Sequence, residues 1–212
     1  MNWYDLIAPL YDIGATGSGG PRRHAVNRLL LQPGDVVLDV ACGTGLNFPL
    51  VMDKIGPDGL LIGLDFSSGM LVKARRKAER DGWQNVHLIQ ADARTVSAEL
   101  LSEHGRFPGV DKVLCTLGLS VVPDWEEVFR RSWALLTPGG RYAIMDWYVE
   151  GRNPFSWFLN RISQGDVSRM SWAPLRREAE DYSHQTFVFG NVFVAAGTKP
   201  AGSETRANRP AP

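Results

Sequence analysis

Cysteine is nearly absent: Cys42 and Cys115 are the two thiols in 212 residues, each set among apolar or glycine-rich neighbours. So few exclude a disulfide-stapled scaffold, and the expectation is a pair of buried free thiols. Histidine is also scarce. The four, His24, His87, His104 and His184, share no metal-ligand spacing, so no metal site is expected. No stretch approaches the ~20 consecutive apolar residues of a membrane-spanning helix. The start, Met1-Asn2-Trp3-Tyr4-Asp5, lacks the basic residues and apolar run of a secretion signal, which points to the cytoplasm. Net charge is missing too: 23 basic residues balance 23 acidic ones, so no overall field draws the protein to nucleic acid or anionic lipid, and only a local patch could do so. What is present is 44% hydrophobic residues, enough for a sizeable core, in a chain shorter than two full domains normally need.

That core is organised around Val36-Val37-Leu38-Asp39-Val40-Ala41-Cys42-Gly43-Thr44-Gly45-Leu46-Asn47. Its β-branched apolar run reads as a parallel strand buried on both faces. Gly43 and Gly45 then permit a tight turn and close approach of backbone to a ligand. A helix near Leu46 to Ile55 is expected to turn its free N–H groups and positive dipole end toward that ligand. Two phosphate signatures are missing. Phe48 stands where a dinucleotide fingerprint needs its third glycine, and there is no Gly-Lys-Ser/Thr of a phosphate loop.

Further strands are expected at Leu60–Asp65, Asn85–Gln90, Asp111–Thr116 and Arg141–Trp147, alternating with helices. The first helix starts at Pro21 with Val26, Leu29 and Leu30 inward and Arg22, Arg23 and Arg28 mostly outward. Another is capped by Ser67 or Ser68 and buries Met70, Leu71, Ala74 and Ala78. A third carries Trp125, Val128, Phe129 and Leu136 and is closed by Thr137-Pro138-Gly139-Gly140. Between 149 and 183 two short helices are expected, one from Asn153-Pro154 with Phe155, Phe158, Leu159 and Ile162 on a face, one from Ser171 with Leu175, Ala179 and Tyr182. Gln185–Phe189 and Val192–Ala196 alternate around Gly190-Asn191 as an antiparallel hairpin. The chain thus divides into an N-terminal lid helix and glycine hinge at 1–20, a domain at 21–198, and a Pro- and Ala-rich tail at 199–212 expected to be disordered. Asp65 ends the second strand, where an acid can accept both hydroxyls of a ribose.

The run Asp39 to Gly45 resembles the first motif of class I S-adenosylmethionine-dependent methyltransferases, acidic-x-Gly/Ala-x-Gly-x-Gly, and Leu-x-Pro-Gly-Gly before the fifth strand is a second recurrent feature of that family. The Tyr-Asp pairs Tyr4-Asp5 and Tyr11-Asp12 are similar to those of ubiquinone/menaquinone C-methyltransferases and bacterial phospholipid N-methyltransferases. The resemblance implies an α/β fold: a doubly wound, Rossmann-like, seven-stranded sheet, mostly parallel, with an antiparallel C-terminal hairpin strand. It implies S-adenosylmethionine as cofactor, with S-adenosylhomocysteine as product. The residues that would hold it are Tyr11 closing over the amino acid end, Asp39, Ala41, Gly43, Thr44 and Gly45 at the turn, Asp65 with Phe66 and Met70 beyond it, Asp92 on the adenine amino group, Ala93 through its backbone N–H, and Leu117 beside the methyl donor.

The acceptor is less legible. Tyr11, Asp146 and Tyr148 are the candidate catalytic residues, with aromatic faces for a developing cation and carboxylates for a proton. Zero net charge and the lack of Asn/Asp-Pro-Pro-Tyr after the fourth strand argue against nucleic acid. Phe155, Trp157, Phe158, Met170 and Trp172 interleave with Arg152, Arg161 and Arg169, a mixture suited to a membrane surface, although these apolar groups could equally roof the sheet. The leading expectation is N-methylation of a phospholipid head group of the phosphatidylethanolamine type, at the inner membrane face. C-methylation of a quinol-type ring, N-methylation of a soluble amine, and a protein that merely holds the cofactor remain alternatives. A hydride-transfer enzyme is disfavoured by Phe48 and the hairpin, and the oligomeric state is open.

Overall fold

In a computed structural model of the chain, residues 19–103, 109–151 and 153–202 are described. The lid helix expected at 1–20, Tyr11 included, falls almost entirely outside them, as do Arg152 and most of the tail. The elements in chain order are α1 (Gly19–Arg28), β1 (Val36–Val40), α2 (Phe48–Ile55), β2 (Leu60–Asp65), α3 (Ser68–Arg80), β3 (Val86–Gln90), α4 (Ala98–Ser102), β4 (Val110–Thr116), α5 (Trp125–Leu135), β5 (Leu136–Trp147), α6 (Pro154–Ser163), α7 (Ala173–Glu178), β6 (Glu180–Phe187) and β7 (Val192–Thr198).

The strands form one seven-stranded sheet in the order β3-β2-β1-β4-β5-β7-β6. β1 pairs in parallel with β2 and β4, β2 with β3 and β4 with β5, whereas β7 runs antiparallel to both β5 and β6. The fold class is therefore the doubly wound one expected, reversed last strand included. Alternation on β1 sends Val36, Leu38 and Val40 into one apolar layer with Val128 and Phe129 of α5, and Val37 into the other with Ala25 and Val26 of α1 and Val51 of α2.

Phe48 explains the missing third glycine. Its fully buried ring fills the space where a helix would otherwise close onto the sheet, and the accommodating glycines lie elsewhere: a Cβ on Gly45 would stand 2.7 Å from the ring, and one on Gly63 of β2 would stand 3.0 Å from it.

Several local expectations are corrected. Arg22 points inward and is buried, while Leu30, at φ 54 just past the helix, is 56% exposed. The helical period placed Leu30 on the apolar face, but the helix stops two residues earlier. Leu136 and the Thr137-Pro138-Gly139-Gly140 stretch belong to β5, where Leu136 pairs with Val110 before a register shift. Tyr182 lies in β6 rather than on a helix. The hairpin closes at Phe187 and Val192, leaving a four-residue loop in which Val188, Phe189 and Gly190 all have positive φ. Alternation alone does not reveal such left-handed positions in non-glycine residues. Lys199, at the start of the expected tail, is buried, and its ammonium donates to the carbonyls of Trp133, Ala134 and Leu136 at the end of α5. Both cysteines are buried free thiols.

Candidate functional site

The carboxyl ends of β1, β2 and β4 open onto a cleft of about 260 Å³ lined by Ala41, Gly43, Asp65, Phe66, Met70, Asp92, Ala93 and Leu117, with Leu64, Arg94, Val121, Val122 and Pro123 completing the wall. Eight of the twelve residues expected around the cofactor meet there. The backbone is held in the left-handed region at Ala41 (φ 55), Gly43 (φ 58) and Leu117 (φ 58), two of them non-glycine residues. Such strain persists only where the surroundings over-determine it, and here it borders one cleft. Gly118 lets the two strained segments approach, since a Cβ there would meet Ala41 at 2.8 Å.

Asp65 organises the turn. Its Oδ2 accepts from the Gly43 N–H at 2.8 Å, and its Oδ1 accepts from the Ser67 N–H at 2.8 Å. Ser67 caps α3 by accepting from the Met70 N–H, which sets Met70 in the cleft wall, while Phe66 stands at the rim, 62% exposed. Asp92 caps a 3₁₀ turn over Ala93–Thr95, and α4 is capped by Ser97. The Arg94 guanidinium binds both Asp92 oxygens and reaches Asp124 at 2.8 Å. That pairing holds the Asp92 carboxyl below its ordinary range.

The remaining expected residues do other things. Asp39 is fully buried below the turn, accepting at both oxygens from the Asn47 amide at 3.0 and 2.8 Å. Burial raises its pKa to about 7 against the opposing pull of Asn47 and Arg22. Thr44 is buried, with its carbonyl held by the Lys77 ammonium. Gly45 is filled around by Phe48. Nor does α2 offer free donors to a ligand: the N–H groups of Phe48, Leu50 and Val51 are bonded to the carbonyls of Gly45 and Asn47, and Pro49 has none. Asp146 is fully buried, accepting from the Ser120 N–H and hydroxyl at 2.8 and 2.7 Å and from the Trp147 N–H at 2.8 Å. Tyr148 is half-buried with its ring edge-on to Trp172, 4.6 Å between centroids.

Sequence reasoning missed Arg22, Asn47 and Thr116. One Arg22 nitrogen donates to Asn47 Oδ1 and Thr116 Oγ1, each at 2.7 Å, and Asn47 passes the link to Asp39. A buried arginine beside an acid at the end of β1 is the sole signal, and it is not local.

The cleft suits a nucleoside without phosphates. Its wall combines the Asp65 carboxylate with apolar groups, and among the described residues its one basic side chain, Arg94, is paired with Asp92 and Asp124. A pyrophosphate would find no unpaired cation among the described residues of this wall.

Residues 37–140 match the sequence model of a family described as a methyltransferase domain. These residues are similar to a methyltransferase domain, and the sheet order with its antiparallel last strand is the one that the resemblance to class I, S-adenosylmethionine-dependent methyltransferases implies. Among curated relatives, demethylmenaquinone methyltransferase of Listeria welshimeri is 37% identical over 125 residues, which is 59% of this chain and 50% of the relative. The 2-phytyl-1,4-naphtoquinone methyltransferase of Thermosynechococcus vestitus is 33% identical over 148 residues, 68% of this chain and 62% of the relative. The chain thus spans about half the length of the first of these. Among solved structures, phosphoethanolamine N-methyltransferase 2 of Haemonchus contortus, in complex with phosphomonomethylethanolamine and S-adenosylhomocysteine, shares the fold with a TM-score of 0.69 at 14% identity, over 86% of this chain and 53% of that one.

Proposed function

We propose that the chain transfers a methyl group from S-adenosylmethionine to a ring carbon of a quinol-type, lipid-like acceptor. The observation that carries this reading is the pairing in one cleft of the Asp65 carboxylate with an apolar wall of Met70, Ala93, Leu117, Val121 and Val122. The activities named for the two quinone-methylating relatives support the ring as acceptor. A lipid-like acceptor is supported by α6, whose Phe155, Trp157, Phe158 and Ile162 are 46–70% exposed, so that they do not roof the sheet. Arg161 on the same helix is exposed, which suits contact of this face with an anionic bilayer.

S-adenosylmethionine supplies an electrophilic methyl when bound. The chain's part is positioning: Asp65 orients the ribose, Met70 and Ala93 flank the base, and Leu117, Val121 and Val122 exclude water from the line of attack. Asp146 is a positioning residue in this reading, because its oxygens are engaged by Ser120 and Trp147 and it holds the loop behind that wall.

The second reading is N-methylation of a phosphatidylethanolamine head group, favoured by the exposed arginines Arg161 on α6 and Arg176 and Arg177 on α7. Labelled S-adenosylmethionine presented in parallel with a prenylated 1,4-naphthoquinol, phosphatidylethanolamine vesicles and soluble amines separates the cases. Label on the quinol supports the proposal, and label on the lipid or a soluble amine replaces it with the corresponding N-methylation. S-adenosylhomocysteine binding with no acceptor labelled would leave a protein that merely holds the cofactor.

A further inference from the structure

The loop 117–123 supplies four residues of the cleft wall, Leu117, Val121, Val122 and Pro123, and is gripped from outside by a segment that follows α6. Arg169, 21% exposed at its side chain, donates through Nη1 to the carbonyls of Leu119 at 3.1 Å and Val122 at 2.6 Å. The Asp166 N–H donates to the Ser120 carbonyl at 2.7 Å, and Gly165 lies so close to that carbonyl that a Cβ has no room. Three of the loop's carbonyls are thus bound by residues 166–169, and a guanidinium is suited to bridging two of them.

The same segment is fastened to α6. Asn160 on that helix accepts from the Val167 N–H at 2.8 Å through its side-chain oxygen, and Val167 is buried with Leu159 and Val149 in a small cluster of its own. Val149 in turn donates to the Val167 carbonyl at 2.8 Å. A continuous chain of packed and hydrogen-bonded groups therefore runs from a helix with an exposed apolar face, through Val167 and Arg169, to the inner wall of the cleft. Leu159, one of the two buried side chains of α6 with Ser156, belongs to that cluster, so a load on the outer face of the helix is passed along this chain.

We infer that Arg169 is a positioning residue that couples α6 to the cleft, so that contact of the α6 apolar face with a bilayer sets the 117–123 wall and tightens the hold on the cofactor. This rests on the reading that α6 meets a lipid surface. Coupling of this kind requires that the bilayer-bound and free states differ in cofactor affinity, and by linkage cofactor must then strengthen bilayer binding by the same factor.

Calorimetry of S-adenosylhomocysteine binding, with and without phosphatidylcholine/phosphatidylglycerol vesicles, is combined with flotation of the same samples. The wild type is expected to float and to bind S-adenosylhomocysteine at least threefold more tightly with vesicles, and Arg169→Ala to float while losing that response. Should Arg169→Ala fail to melt cooperatively, Arg169→Gln, whose shorter and uncharged amide lacks the reach and charge of the guanidinium, carries the same test. A wild type that floats with unchanged affinity, or a variant that responds as the wild type does, overturns the coupling and leaves the bilayer reading standing. Failure of the wild type to float overturns both.

Discussion

Arg22 and Asn47, 25 residues apart, meet at 2.7 Å in the floor beneath the glycine turn, and Asn47 carries the contact on to both oxygens of Asp39. All three side chains are buried, so a break in the chain leaves polar atoms that water cannot reach. Asn47→Ala removes the donor to both Asp39 oxygens and one of the acceptors of Arg22, and is expected to destabilise the fold by about 3 kcal/mol. Urea unfolding decides this: the midpoint should fall with the slope unchanged.

The pH dependence follows from the same floor. Burial raises Asp39 to about 7 and Asp146 to about 6, from an ordinary value of 3.8. Between 3.8 and those values the folded state holds protons that the unfolded chain has released. The stability contributed by these two groups is therefore full below the unfolded value and is lost as pH rises through about 6 and then about 7. The urea midpoint of Asp39→Asn, whatever its baseline, is expected to vary less with pH between about 4 and about 8 than that of the wild type. Equal slopes for both would mean that Asp39 is ionised throughout.

Much of this was legible in the chain. β1, β2 and β4 announce themselves by β-branched runs, and Asp65 by ending one of them, because burial on both faces leaves a local composition signal. The helix cap at Ser67 and the paired Asn153 and Ser156 at the start of α6 are local as well. What stayed hidden is what only the sheet brings together. Arg22 reads as a surface residue until Thr116, 94 positions later, is placed beside it. Arg169 likewise looks like one of several arginines among aromatics until the carbonyls of Leu119 and Val122 stand within reach.

Lys199 is a third hidden case, and it carries a prediction. It follows the last strand in a stretch whose composition suggests no structure, yet its ammonium caps the end of α5 through three carbonyls, and its N–H and carbonyl bond to Gly140 and Gly139. Burial lowers its pKa. Lys199→Met keeps the stem and removes the donor, and is expected to cost about 1–3 kcal/mol. Truncation after residue 198 should cost at least as much, whereas truncation after 202 should leave the melting temperature unchanged. A melting temperature equal to the wild type for Lys199→Met would show that the carbonyls find water instead.

The cofactor prediction turns on Asp65, proposed to accept from the ribose. Asp65→Ala removes the ligand's acceptor and also releases the Gly43 and Ser67 N–H groups, so affinity for S-adenosylhomocysteine should fall by about 1–3 kcal/mol. Asp65→Asn keeps one acceptor and should fall by less. Titration calorimetry on both variants tests this, and equal affinity for Asp65→Ala and the wild type would remove Asp65 from the site.

The two glycines of the turn should fail in different ways. Both lie in the left-handed region, Gly43 at φ 58 and Gly45 at φ 73, so alanine is strained at either by about 1–2 kcal/mol. At Gly45 the new Cβ also meets the Phe48 ring at 2.7 Å, and that ring is fully buried and has nowhere to move. Overpacking adds about 1–3 kcal/mol there, so Gly45→Ala should be the less stable protein. At Gly43 nothing stands within 4 Å of the Cβ, and the residue lines the cleft. Gly43→Ala should therefore stay folded while occupying space that a ligand's backbone contact requires, with affinity for S-adenosylhomocysteine falling about tenfold, or 1.4 kcal/mol. Thermal melts and calorimetry on the pair separate the roles. If Gly43→Ala binds as tightly as the wild type, the turn shapes the fold alone and the ligand sits farther along the cleft, against Met70 and Ala93.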